Sequence, residues 1–316
     1  MKHVSRGNSR VNEAAGSAEV PSASPADWRL PIITVALLLV GFSVPLYQLV
    51  RFSLSQDLYS HIILIPFVSA YLAWLKFPRT KPNGSHLPRA WAYLFLLAGA
   101  GMLLDYFLSL LSSTPQAPQD TLALAMYSLV LLLTGICCWF LDRPTLRAVA
   151  FPLGFLIFIA PFPIGFESAL ESFLQHRSSA VAHVFFQMIG TPVFRDGTVF
   201  QLPGFNMQVA PECSGIHSTV ALFITSLVAG QLLLRSTLNR TILTLAVVPI
   251  ALLRNGFRVT VIGELCVRVG PEMIDSYIHR HGGPIFFVLS LVPFVLLLFF
   301  LLRIEREKRS SVNSTS

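Results

Sequence analysis

Val209 to Leu234 read V-A-P-E-C-S-G-I-H-S-T-V-A-L-F-I-T-S-L-V-A-G-Q-L-L-L, a polar loop that runs straight into a long apolar helix pattern. A bilayer crossing takes about 20 apolar residues, and the run that starts at Ser214 has that length. The stretch therefore commits the chain to a membrane and sets one cysteine, Cys213, where loop and span meet. A thiol acts as a nucleophile only as its thiolate, which needs a cationic or basic neighbour and some access to water. The start of a helix favours that anion through its unpaired N–H groups and its dipole. The opposing reading of Cys213 is a plain buried thiol.

Working outward, the composition agrees. The 316 residues are 53% hydrophobic and 12% charged, with a mean hydropathy of +0.65. That is a polytopic, all-α integral membrane protein rather than a soluble domain. The net charge of +7 comes from short basic clusters between apolar runs, the pattern of cytoplasmic loops, so nucleic acid is not the expected partner. The lipid bilayer is. Four cysteines, at 137, 138, 213 and 266, show no C-x-x-C spacing. They form neither a disulfide framework nor a zinc site, and Cys137 and Cys138 read as small buried hydrophobes.

Eight apolar runs are long enough to count as spans: 30–50, 58–75, 90–111, 121–141, 147–166, 214–234, 241–262 and 284–302. Residues 1–27 are polar and rich in Ser, Ala and Pro, and are expected to be a disordered tail rather than a signal peptide. The membrane domain then covers 28–303, and 304–316 form a second tail. With both termini inside, the cytoplasmic segments carry 16 Lys and Arg and the opposite side 5, leaving Arg254 and Arg258 within the seventh span. The positive-inside rule thus places both termini in the cytoplasm.

This threading gathers residues that lie far apart in sequence. Cys213 enters span six from outside. Span seven starts inside near Thr241 and reaches Arg258 17 residues later, a rise of about 26 Å and nearly the whole hydrocarbon core. His279 and His281 precede span eight on the outer side. A cysteine, an arginine and histidines from three helices are expected at one membrane boundary. Arg258 is either an interfacial snorkeller or a functional charge, which intramembrane arginines usually are. The Asn255–Gly256 pair before it suggests a local helix break that frees backbone groups to line a cavity. Arg254, one turn earlier, competes with Arg258 or pairs with a carboxylate or lipid phosphate. His217, four residues after Cys213, shares its helical face. It is then a base for the thiol, or else a polar contact between helices.

The long outer segment 162–212 comes next. Pro161, Pro163 and Gly165 end span five, and Glu167 to Met188 read as an amphipathic helix with Leu170, Phe173, Leu174, Val181, Val184 and Phe185 on its apolar face. Thr198–Leu202 and Asn206–Val209 alternate around Pro203–Gly204, the pattern of a short β-hairpin. An open strand edge beside Cys213 would suit an extended peptide.

These residues carry a resemblance. Y-S-H at Tyr59–His61 followed by Pro66, P-F-P at 161–163, G-T-P-V-F-R-D-G at 190–197, E-C-S-G-I at 212–216, N-G-F-R at 255–258 and H-R-H-G-G-P-I-F-F at 279–287 resemble the exosortase and archaeosortase family of membrane cysteine transpeptidases. The resemblance implies that Cys213 is the nucleophile, Arg258 the charge-stabilising arginine and His279, four residues before Gly283, the histidine. Glu212, Ser214, His217, Arg254, Asn255, His281, Tyr59 and His61 are then candidates for shaping the substrate site. Where many relatives carry an arginine, this chain has His217. The substrates implied are exported proteins ending in a short motif, a membrane helix and a basic tail, with transfer to a surface acceptor and no metal or organic cofactor. The competing function, a transporter or lipid-linked-sugar carrier with an Arg/His anion site, lacks the expected internal repeat and matched broken helices.

Overall fold

The computed structural model describes residues 29–76, 87–112, 117–270, 272–273 and 283–314. The tail expected over 1–27 lies outside them. The chain forms helices α1 (Arg29–Gly41), α2 (Ser43–Ser55), α3 (Leu64–Lys76), α4 (Arg89–Leu111), α5 (Pro118–Phe140), α6 (Arg143–Phe155) and α7 (Ile164–Ile189). Strands β1 (Phe194–Asp196), β2 (Val199–Leu202) and β3 (Phe205–Gln208) follow, then α8 (Ile216–Leu233), α9 (Thr237–Leu245), α10 (Val247–Arg268) and α11 (Gly283–Ser314). Short 3-10 turns precede α3 (Asp57–Ile63), follow α6 (Leu156–Ile159) and precede α8 (Pro211–Cys213).

Among the described residues six helical segments are long and apolar enough to cross a membrane, or up to eight if each of two bent pairs is one span. The six correspond to the second, third, fourth, sixth, seventh and eighth expected runs. The bent pairs stand where the first and fifth were expected. α1 and α2 meet at 61°. α6 with its 3-10 turn ends at Ile159, and α7 leaves at 90°. Pro161 and Pro163 explain the second corner, since proline cannot continue a helix and pushes the residue before it to extended backbone. α11 continues to Ser314, so residues 304–314, read as a tail, extend the last helix.

The P-F-P corner is tied to two other elements. Tyr59 donates its hydroxyl to Glu167 Oε2 at 2.6 Å. Gln119 Nε2 donates to the Phe162 carbonyl at 2.7 Å, to the Tyr59 oxygen at 3.0 Å and to Glu167. The Ile164 N–H donates to Asp120 Oδ1 at 2.8 Å. The first turns of α5 and α7 and the 3-10 turn before α3 are thereby joined around one polar knot.

The sheet has the order β1-β2-β3, all antiparallel, with Phe200 opposite Met207 and Gln201 opposite Asn206. The expected hairpin is present, turning at Gly204 (φ +86°), and gains β1 as a third strand. Its inner face packs Phe200, Leu202 and Met207 on Ala182 and Phe186 of α7 and on Val259 and Ile262 of α10. α10 does not break at Asn255–Gly256, as the sequence suggested; it runs unbroken from Val247 to Arg268. Gly256 serves packing instead. A β-carbon there would lie 2.6 Å from Val181 Cγ1 and 3.1 Å from the Ala182 backbone nitrogen of α7.

Candidate active site

β3 leads directly into the cysteine. The Val209 N–H extends the strand pairing by donating to the Thr198 carbonyl at 3.0 Å, and Gln175 of α7 donates to the Val209 carbonyl. Pro211 then starts a single 3-10 turn, closed by the Cys213 N–H on the Ala210 carbonyl and the Ser214 N–H on the Pro211 carbonyl, both at 2.9 Å. Gly215 sits in the left-handed region at φ +77°, and α8 begins at Ile216. Thr219 closes its first turn, with N–H at 3.0 Å and Oγ1 at 2.8 Å from the Gly215 carbonyl.

Two consecutive residues of α10 hold this turn. Asn255, 1% exposed, donates its two amide protons to the carbonyls of Cys213 (2.9 Å) and Ser214 (3.0 Å). Arg254 is also buried and donates from Nη2 to the Gly215 carbonyl at 3.2 Å. The carbonyls of Cys213 and Ser214, which precede α8, are thus partnered from the neighbouring helix, and Arg254 adds a donor to the Gly215 carbonyl that Thr219 already closes. The fit admits only glycine at 215, because a β-carbon would meet Arg254 Nη2 at 2.7 Å and Asn255 Oδ1 at 2.9 Å. The partner seen for Arg254 among the described residues is this main-chain carbonyl.

Arg258, one turn on from Arg254, turns to the side on which Cys213 is accessible. It lines a cavity of about 150 Å³ together with Cys213, Met207, Gln208, Val209 and Ala210. The register turns the N–H and C=O of Met207 and Val209 toward β2, so the alternate residues Asn206 and Gln208 present theirs to the free edge of β3. A half-buried thiol, a guanidinium and an edge of β3 that pairs with no further strand among the described residues therefore share one concavity. Arg258 also lines a second cavity of about 640 Å³ with His61, His217, Ser218 and Gly283.

The other residues singled out from sequence divide as follows. Ser214 is buried in the turn. Glu212 has its backbone in the same turn. His217 does not share a helical face with Cys213, because Gly215 separates the 3-10 turn from α8; it faces the second cavity. Tyr59 is buried in the polar knot, while His61 reaches the second cavity. His279 and His281 lie outside the described residues. Gly283, four positions from His279 in sequence, lines the cavity that contains Arg258. Gln119, Asp120, Glu167 and Gln175 were not singled out. Their signal was polarity inside or beside apolar runs, which proline and strand signals nearby obscured. Among the described residues no three His, Cys, Asp or Glu side chains come together as a metal-binding group.

The model of one protein family, described as transmembrane exosortase (Exosortase EpsH), matches residues 52–296. That interval contains both cavities, the sheet and every hydrogen bond that holds the cysteine turn. No curated protein and no solved structure matches the chain.

Proposed function

The chain belongs to the transmembrane exosortase (Exosortase EpsH) family, and from that premise we propose that it cuts the C-terminal sorting signal of exported proteins through a Cys213 thioester and passes the new end to a surface acceptor. Membership makes it a membrane protein-sorting enzyme of the cysteine transpeptidase type. The observation that carries the finer reading is the shared cavity in which Cys213 and Arg258 face the free edge of β3.

An extended substrate segment laid along β3 pairs with the outward N–H and C=O groups of Asn206 and Gln208. This sets a scissile carbonyl over Cys213. The thiol proton passes to His279 and the thiolate sulfur attacks the carbonyl carbon. Arg258 stabilises the oxyanion, or holds a carboxylate of the recognition motif. The C–N bond breaks, the tail leaves as an amine with the proton from His279, and the substrate remains as a thioester. An acceptor amine then attacks the thioester, its proton goes to His279, and Cys213 is released. Arg254 and Asn255 act one step back, fixing the carbonyls that orient the turn. The count of 16 basic residues against 5 supports cytoplasmic termini and chemistry on the opposite face.

The test is a membrane-anchored reporter ending in a co-encoded tail of motif, apolar helix and basic end, expressed with this protein or with its Cys213→Ala form. Tail removal by the unmutated protein alone supports the reading, and the mass of the new C-terminus distinguishes transfer from hydrolysis. Equal removal by both forms refutes it.

A further inference from the structure

The second cavity does not end at the level of Arg258. Below the 3-10 turn α3 and α8 stand apart, and the gap between them is a groove of about 520 Å³ backed by Phe155 of α6. Groove and cavity share His61 and Ala221, so the two form one track. α3 contributes Leu64, Ile65 and Val68; α8 contributes Ala221, Thr225, Ala229 and Leu233 at four-residue intervals, along a single ridge that begins at His217. From Ala221 to Leu233 the ridge rises about 18 Å, more than half of a hydrocarbon core of about 30 Å. Leu64, Leu232 and Leu233 are exposed at its margins, so the groove opens sideways. Its one hydroxyl, on Thr225, is bonded to the Ala221 carbonyl at 2.8 Å.

Resting on the transpeptidase reading, we infer that this groove seats an apolar α-helix, the membrane segment on the leaving side of the substrate's scissile bond. A polypeptide at this depth must satisfy its own backbone groups and is therefore helical. Small residues four apart let a second helix backbone approach closely, the arrangement that packs helices in lipid; an acyl chain needs no such spacing. Continuity decides between grooves. A second apolar groove, about 530 Å³ between the end of α7 and α10, shares no lining residue with either cavity at the site and has the Glu264–Arg268 ion pair at 2.8 Å on its wall. The α3/α8 groove leads to Arg258. A substrate would then lie with its recognition motif on β3, its scissile bond between Cys213 and Arg258, and its tail helix against α8.

The full-length Cys213→Ala protein carrying a photoreactive side chain at Thr225 is irradiated in membranes containing the tailed reporter. The reporter is expected to cross-link there about tenfold more than to the same group at Leu97, a lipid-facing position on α4 that is 71% exposed and makes no helix packing of this kind. Lipid adducts alone at 225, or equal reporter capture at both positions, overturn the inference. With Cys213 intact, Thr225→Trp is expected to raise KM for the reporter about tenfold through lost helix packing, and Leu97→Trp to leave it unchanged. An unchanged KM in Thr225→Trp overturns the groove while leaving the thioester reading intact, provided Cys213→Ala abolishes tail removal in the same assay. Tail removal that survives Cys213→Ala overturns both.

Discussion

Asn255 and Gly215 meet at the cysteine turn, and each is there for a reason that a one-letter reading of the chain hides. The Asn255 amide is buried and both its protons go to carbonyls of the cysteine turn. Asn255→Asp keeps the size and removes both donors, since a carboxylate only accepts, and it turns an anion toward two carbonyl oxygens. A turn displaced by about 1 Å costs about 100-fold in rate, so reporter cleavage by Asn255→Asp is expected to fall by that order while Cys213 remains alkylatable in membranes. Cleavage within twofold of the unmutated protein would remove the positioning role. Gly215→Ala combines a left-handed backbone, costing about 1–2 kcal/mol, with a clash at 2.7 Å. The expected outcome is a larger loss in the same assay. Cys213 and Arg258 were legible from sequence because a cysteine at a helix start and an arginine inside an apolar run are both rare and costly. Asn255 and Gly256 were misread as a helix break. Locally they carry the signature of one, and only the partner helix shows that the asparagine is a clasp and the glycine a contact.

At the scale of elements, the contact between α7 and α10 decides whether the sheet and the cysteine turn are held together. Gly256→Ala places a methyl 3.1 Å from a backbone nitrogen that cannot step aside. Overpacking of this kind costs about 1–3 kcal/mol, so the thermal midpoint of the purified protein in detergent is expected to fall. Gly101→Ala on α4 is the control: nothing lies within 4 Å of its would-be methyl, and better helix propensity makes it neutral or stabilising by up to about 1 kcal/mol. If both variants melt alike, close packing is not the role of Gly256. The P-F-P corner can be dissected in the same way. Hydrogen bonds to charged groups contribute about 1.5–3 kcal/mol, so Tyr59→Phe is expected to destabilise by that order. Combined with Glu167→Gln the loss should be clearly smaller than the sum, because the two side chains share one bond. Strict additivity would dissolve the knot. Proline spacing and alternation made the end of the fifth apolar run, a helix after it and the β2–β3 hairpin readable in advance, but not the face that α7 buries: Phe173 and Val184 are exposed, while Leu174, Ser178, Ser179, Ala182 and Phe186 are buried. β1 was not readable, since three residues, Phe194 to Asp196, carry no period. At the bend between α1 and α2, Pro45 has no N–H to give to the carbonyl of Gly41 four residues back, so the break has a local cause, although no proline stands at the corner itself.

Over the whole molecule, the site and the basic clusters stand at opposite ends. α8 starts at the cysteine turn and ends at Leu233, and α11 starts at the second cavity. At the far end Glu305 of α11 accepts the N–H groups of Arg235 and Ser236, each at 3.0 Å, and the side chain of Asn239 at 2.9 Å. That lock ties the end of the last helix to the α8–α9 corner, so the C-terminal end of α11 is fixed on the side away from Cys213. On the orientation proposed from the count of basic residues that side is cytoplasmic, and Cys213 is then expected on the opposite face. A membrane-impermeant thiol reagent added to intact cells is expected to label the unmutated protein and to leave Cys213→Ala unlabelled. In the Cys213→Ala background, a cysteine at the exposed Ser310 should react only after permeabilisation. Labelling of Ser310→Cys in intact cells would invert the threading, and with it the compartment from which a substrate reaches β3. Labelling of both cysteines from one side would contradict the separation fixed by Glu305, because α8 and α11 then could not both cross the bilayer between the two ends.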